Sequence, residues 1–235
     1  MRLLLLLSVL LLAPASVLVT PAASAQGILG GGLILGLPQG EFGDATDNVG
    51  FGFSGIGLYQ FPLTPIALGV EGTFMIYGRE RFNVPLGSGP LGNVRVDVTT
   101  DNNIAQGHFV LRLLPPLPGP ITPYADALLG FSYFWTESRV EDEDFQDQDG
   151  DGVFDSVNFD DFAFSYGFSA GLGIRLTESM AGSLLLDLRV RYLLGGEAEY
   201  LQDDDFNPDG SINFSAVDRS RTDLLIPQIG VIYRF

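Results

Sequence analysis

Cysteine and lysine are both missing from this chain of 235 residues, and histidine and tryptophan occur once each. Without cysteine no disulfide framework can staple the fold, and no thiolate is there to act as nucleophile or metal ligand. All 12 basic side chains are arginines, set against 29 acidic ones, for a formal net charge of −17. A chain this acidic repels nucleic acid, which excludes that class of partner. Beyond the first 25 residues no apolar run reaches the roughly 18 residues of a membrane helix. A Gly-x-Ser-x-Gly elbow is absent, as is any histidine-based metal cluster, and no enzymatic activity is expected. What the chain does have is 46% hydrophobic residues, with 30 glycines, 18 phenylalanines and 8 tyrosines. So much apolar matter in so acidic a chain must be segregated, and the question is how.

The first segment, MRLLLLLSVLLLAPASVLVTPAASAQG, has one cation, Arg2, and an apolar run from Leu3 to Leu7 that resumes after Ser8. Small residues follow, and Ala23-Ser24-Ala25 fits the A-x-A pattern of signal-peptidase sites. This predicts a signal peptide over residues 1–25, with Pro14 and the short apolar core arguing against a membrane anchor. Loss of Arg2 takes the formal charge from −17 to −18. The remaining residues, 26–235, make one domain.

In that domain the apolar residues are sorted by parity. From Phe162 to Leu176 the even positions are Phe162, Phe164, Tyr166, Phe168, Ala170, Leu172, Ile174 and Leu176, while the odd ones are Ala, Ser, Gly and Arg175. From Leu184 to Leu194 the even positions are apolar, and Asp187, Arg189 and Arg191 take the other face. Period 2 is the mark of a strand with unlike faces, because successive side chains point to opposite sides. These runs exceed the usual strand length of about 5–6 residues. Shorter or weaker alternation marks 29–37, 49–61, 66–79, a segment ending in Phe109, Leu111 and Leu113, then 124–136 and 224–235. Eight strands with a large apolar face and a small or charged face suit a barrel whose outside meets lipid and whose inside is polar.

The connections alternate. Short turns are expected at FPLTP (61–65), PPLPGP (115–120) and TESMAG (177–182), and long polar loops at about 39–48, 80–103, 137–161 and 195–222. Short inner turns alternating with long outer loops is the pattern of bacterial outer-membrane barrels.

The whole of 26–235 resembles the small eight-stranded outer-membrane barrels of the OmpA and OmpX type, the likeness to OmpA covering only its barrel. The terminal QIGVIYRF, with Ile229, Val231, Tyr233 and Phe235 on one face, resembles that family's terminal assembly signal. The resemblance implies an all-β, eight-stranded, antiparallel up-and-down transmembrane barrel in the outer membrane of a Gram-negative-type envelope. It implies contact with outer-membrane lipid and lipopolysaccharide, recognition by the barrel-assembly machinery through Phe235, and a monomeric state.

Inward parity gathers Glu71, Asp126 and Asp187 with Arg112, Arg175, Arg189, Arg191 and His108. An eight-stranded barrel is just wide enough for side chains to fill. Two readings stand: a hydrogen-bonded plug, or a path for protons or ions. His108 has Gln106 and Val110 as same-face neighbours and no serine two residues away, so a nucleophile for it would have to come from another strand.

In DQDGDGVFD, residues 147–155, Asp147, Asp149, Asp151 and Asp155 take positions 1, 3, 5 and 9 of an EF-hand-type loop, with Gly152 at the sharp turn. A fainter echo, DFNPDGSIN, places Asp205, Asn207 and Asp209 at positions 1, 3 and 5. Both resemble the calcium loops of EF-hands and thrombospondin type 3 repeats, yet neither carries the bidentate Glu at position 12. The alternative is a solvated acidic loop. Three functions remain open: a non-enzymatic barrel acting in surface structure or adhesion through acidic, calcium-binding outer loops; a narrow porin-like channel for small solutes; and a soluble lipocalin-like barrel with its apolar face turned inward.

Overall fold

The computed structural model describes residues 27–45, 49–89, 92–141, 154–200 and 218–235, without the side chains at 44–45, 79–100, 138–159 and 198–220. Eight strands close into one barrel: β1 Gly27–Gln39, β2 Gly50–Gln60, β3 Ile66–Gly89, β4 Gly92–Leu113, β5 Ile121–Glu141, β6 Phe154–Ser179, β7 Gly182–Gly195 and β10 Asp223–Arg234. Between β7 and β10 lies a separate hairpin of β8 Glu197–Tyr200 and β9 Asp218–Arg221. Every barrel strand pairs antiparallel with its neighbours in the chain, apart from the step over this hairpin, so the order is up-and-down as expected. Closure is between β1 and β10, sealed by reciprocal backbone hydrogen bonds of 3.0 Å between Gly27 and Phe235. Within the closed wall each strand is paired on both sides, so the wall has no open edge.

The two faces follow the sequence parity. On β6, Ala163, Ser165 and Ser169 are buried inside, while Phe162, Phe164, Phe168 and Leu172 stand exposed outside. On β7, Leu185, Asp187, Arg189, Arg191 and Leu193 are inside, and Leu188, Val190 and Tyr192 are outside. Phe51 and Phe53 of β2, Phe109 and Leu111 of β4, Leu129 of β5 and Ile229 and Val231 of β10 continue the exterior belt. A soluble lipocalin-like barrel would invert this arrangement, and that reading is set aside. This is an eight-stranded transmembrane β-barrel, apolar outside and polar inside.

At one end the connections are short: 61–65, 114–120 and the two-residue turn Met180–Ala181, which is tighter than the turn expected over 177–182. At the other end strand takes up part of the expected loops. β3 and β4 run 24 and 22 residues and come within two residues of each other, so nearly all of 80–103 is a hairpin. β5 continues to Glu141 and β6 starts at Phe154, within the loop expected over 137–161. A bilayer needs only about 9–11 tilted residues per strand. Once the ladder is established it continues upward, with Phe82 opposite Val98 and Val84 opposite Val96.

The expected polar loop 39–48 holds a short helix, α1 Glu41–Ala45. Its Phe42 is fully buried and meets the rings of Tyr77 and Phe134 edge-on, at centroid distances of 5.7 and 6.1 Å. This aromatic cluster caps the lumen from the hairpin end. Met75, Ile104, Leu193 and Leu224 are buried apolar residues of the same interior.

Candidate functional site: the barrel lumen

Among the described residues, six charged side chains are buried in the interior, three carboxylates (Glu71, Asp126, Asp187) and three guanidinium groups (Arg112, Arg189, Arg191), each at most 4% exposed. They balance in sign. Period-2 geometry places them, since each sits on the inward parity of β3, β4, β5 or β7.

Arg189 is the centre. Its Nη1 and Nη2 donate to Glu71 Oε1 and Oε2 at 2.8 and 3.1 Å, Nη2 also lies 2.8 Å from Asp126 Oδ2, and Nε donates to Ser169 Oγ at 2.9 Å. Ser169 in turn donates to Asp126 Oδ2 at 2.7 Å. Arg112 grips Asp126 with two bonds, Nε to Oδ1 at 2.7 Å and Nη2 to Oδ2 at 3.0 Å, and its Cζ lies 3.7 Å over the Tyr124 ring. Arg191 donates to Glu71 Oε1 at 2.7 Å, Thr73 Oγ1 at 3.1 Å and Gln228 Oε1 at 3.2 Å. Asp187 accepts from the Tyr124 hydroxyl at 2.5 Å, and Ser54 donates to Gln228 Oε1 at 3.1 Å. Bidentate guanidinium–carboxylate contacts are both strong and directional. Around the barrel β3 and β7 are four strands apart in either direction. The Arg189–Glu71 contact therefore spans the full width of the lumen.

Buried charge is costly unless paired and hydrogen-bonded. Here each carboxylate accepts hydrogen bonds from neighbouring side chains, so the layer is self-neutralised matter filling the interior. The plug expected from parity is what the side chains form. Arg175 departs from that expectation. Its side chain is 40% exposed at the turn end and pairs with Glu178 at 2.6 Å. A register shift between Arg175 and Thr177 marks the end of regular pairing, so correct parity there no longer means burial.

His108 finds a serine that no spacing on its own strand announced. Its Nε2 lies 3.1 Å from Ser165 Oγ, brought from β6 by the barrel. The other ring nitrogen, Nδ1, has no partner among the described residues. Both residues are nearly inaccessible, at 3% and 1% exposure. A base–nucleophile pair needs an orienting third group and a route for substrate. Tyr124, the first residue of the alternating segment 124–136, joins Arg112 to Asp187. A tyrosine on the inward parity two residues before Asp126 is the signal that could have found it.

Of the proposed metal ligands, Asp147, Asp149, Asp151, Asp205, Asn207 and Asp209 lie outside the described residues. Asp155 falls in β6 with its backbone opposite Arg139, and its side chain is not described. Among the described residues no three His, Asp or Glu side chains converge as a metal site.

No family model and no curated protein matches the sequence. Solved structures with a similar fold include Neisserial surface protein A, at 14% identity and a TM-score of 0.46, covering 91% of this chain and 100% of that one. Another is Ail, the attachment invasion locus protein of Yersinia pestis, solved with the heparin analogue sucrose octasulfate, at 16% identity and 0.43 over 91% and 100%. The outer membrane protein OprG from Pseudomonas aeruginosa matches at 16% identity and 0.39 over 92% and 98%.

Proposed function

We propose that this chain is a non-enzymatic outer-membrane barrel, sealed through its lumen, that acts in surface structure or adhesion through its outer hairpins and acidic loops. The observation that carries the reading is the balanced ionic layer around Arg189, which leaves the interior filled by side chains whose charges cancel. Support for the membrane comes from the exterior belt of Phe, Leu, Val and Tyr. The 22- to 26-residue strands β3, β4 and β6 are far longer than the bilayer needs, and they raise the surface away from it. The signal peptide would deliver the chain to the periplasm, and Phe235 would present it for assembly.

The acidic stretch 147–155 follows β5 and runs into the start of β6, and 205–209 lies between β8 and β9. Carboxylates near lipopolysaccharide phosphates repel them unless calcium or magnesium bridges the two. The porin-like alternative is weakened by the filled lumen. Purified protein in planar bilayers should show no stepwise conductance above background, and fractionation should place it with outer membranes. Stable unitary channels would replace this reading with the pore.

A further inference from the structure

At the turn end the barrel mouth is not filled. A pocket of about 450 Å³ opens there, framed by the proline turns at 61–65 and 114–117 and lined also by Arg175 and Arg234. Its volume falls within the range of about 300–1,000 Å³ common to small-molecule sites. Its other polar lining residues are Gln60, Thr64 and Thr122, and no carboxylate lines it.

The Arg234 side chain makes no hydrogen bond or ion pair with another described residue, and its Nε is buried without a partner. Asp187 acts on it only at a distance, because its oxygens go to Tyr124 and Gln228. Arg112, deeper inside, is paired with Asp126 and is a further cation near Arg234. Arg175 is held on one side by the exposed Glu178 and by the Gly119 carbonyl at 3.4 Å. Among the described side chains the lumen balances its charges, and the mouth holds an excess cation. A half-buried guanidinium with no counter-charge in contact is incompletely compensated, and its planar donor fork matches phosphate oxygens. The frame also has an apolar side. Leu63 is fully exposed at φ 61°, a left-handed conformation that disfavours leucine, and Leu117 is exposed on the facing turn.

We propose that this mouth is a binding site for a phosphate-class anion, held by Arg175 and Arg234 with Gln60 and Thr122 as further donors. The phosphate comes either from a phospholipid headgroup, whose glycerol end would rest on Leu63 and Leu117, or from a free phosphate ester. The barrel alone defines the pocket, so the test does not depend on the role of the outer loops.

The full mature chain, folded in uncharged detergent, is titrated calorimetrically with inorganic phosphate. Native mass spectrometry follows retention of phosphatidylglycerol and of a galactosyl diglyceride with the same acyl chains. Phosphatidylglycerol should be retained and the galactolipid lost. Binding should fall about tenfold or more in Arg234→Gln and in Arg175→Gln, the loss expected for one charge-assisted contact. Glu178→Gln, which releases Arg175, should tighten binding. Inorganic phosphate binding as well points to a free ester, while lipid binding without it assigns the headgroup. Arg175 is exposed, so Arg175→Gln carries the test if Arg234→Gln fails to fold. Equal retention of the galactolipid, no binding of either phosphate probe, or binding unchanged in a folded Arg175→Gln protein would overturn the proposal.

Discussion

Arg189 and Glu71 join opposite walls of the barrel through two parallel hydrogen bonds of 2.8 and 3.1 Å. Neither residue is near the other in sequence, and 118 positions separate them. The contact is made because β3 and β7 face each other across an eight-stranded cylinder narrow enough for two long side chains to meet. Arg191 binds the same Glu71 Oε1 at 2.7 Å, so one carboxylate holds two guanidinium groups.

Removing that carboxylate leaves two buried cations with reduced compensation. Glu71→Leu should destabilise the folded barrel by about 3–5 kcal/mol, the usual effect of breaking a buried pair from one side. Combining Glu71→Leu with Arg191→Leu should restore a good part of the loss, because one excess cation is removed with the carboxylate. Urea unfolding midpoints in detergent, read from the heat-modifiable gel shift, measure both. A single variant as stable as the parent would mean that the layer contributes nothing to stability.

Gly171 and Tyr124 form a second test. A Cβ on Gly171 would overlap the Tyr124 ring, so the strand offers a glycine where the ring lies flat against the backbone. Gly171→Val should displace the ring and break its hydroxyl contact with Asp187. Overpacking costs about 1–3 kcal/mol, and loss of the buried hydrogen bond adds a similar amount. Tyrosine fluorescence and the unfolding midpoint report the two effects separately.

The exterior obeys a different rule. Leu188 of β7 faces outward between the inward Asp187 and Arg189. Leu188→Arg should impair assembly into bilayers, since a cation near the midplane costs roughly 2–4 kcal/mol. In detergent micelles the penalty should shrink, because water reaches the side chain. Ser169→Ala, which removes a lumen hydroxyl bonded to Asp126 and Arg189, should weaken the barrel in both media alike. Folding yields in vesicles and micelles separate the two, and equal behaviour of the variants across media would contradict the face assignment.

Much of this was legible in the sequence because side-chain parity is local: Phe168 and Ser169 reveal opposite faces whatever surrounds them. Strand ends were harder to read. Past the membrane no lipid imposes an apolar face, and a two-sided polar hairpin then looks like a loop. The alternation of Val94, Val96 and Val98 with Arg95, Asp97 and Thr99 was the one signal that β4 continued. Phe42 stood alone in a polar stretch, with no period to reveal it as a cap. The His108–Ser165 contact depends on how far around the cylinder β4 and β6 sit, which no spacing records. Pairing partners in the ionic layer were out of reach for the same reason: parity shows which charges enter the lumen and is silent on which ones meet.

The acidic stretch 147–155 leads to the last prediction. Asp147, Asp149, Asp151 and Asp155 place four carboxylates within nine residues, and their repulsion opposes a closed loop. A divalent cation would offset that repulsion and draw the oxygens inward, with Gly152 permitting the turn. The backbone of Asp155 is already held in β6 opposite Arg139, so one end of the loop is anchored before any ion arrives. Calcium should bind with the weak affinity of extracellular modules, about 10⁻⁴ to 10⁻³ M. Limited proteolysis of the folded barrel should then show cleavage within 142–153 in chelator and protection in millimolar calcium. Replacing Asp149 and Asp151 by Asn keeps the oxygen donors but removes two charges, and should abolish the protection while the heat-modifiable shift of the barrel persists. Identical cleavage with calcium and with chelator in the unaltered protein would reduce the stretch to a solvated acidic loop.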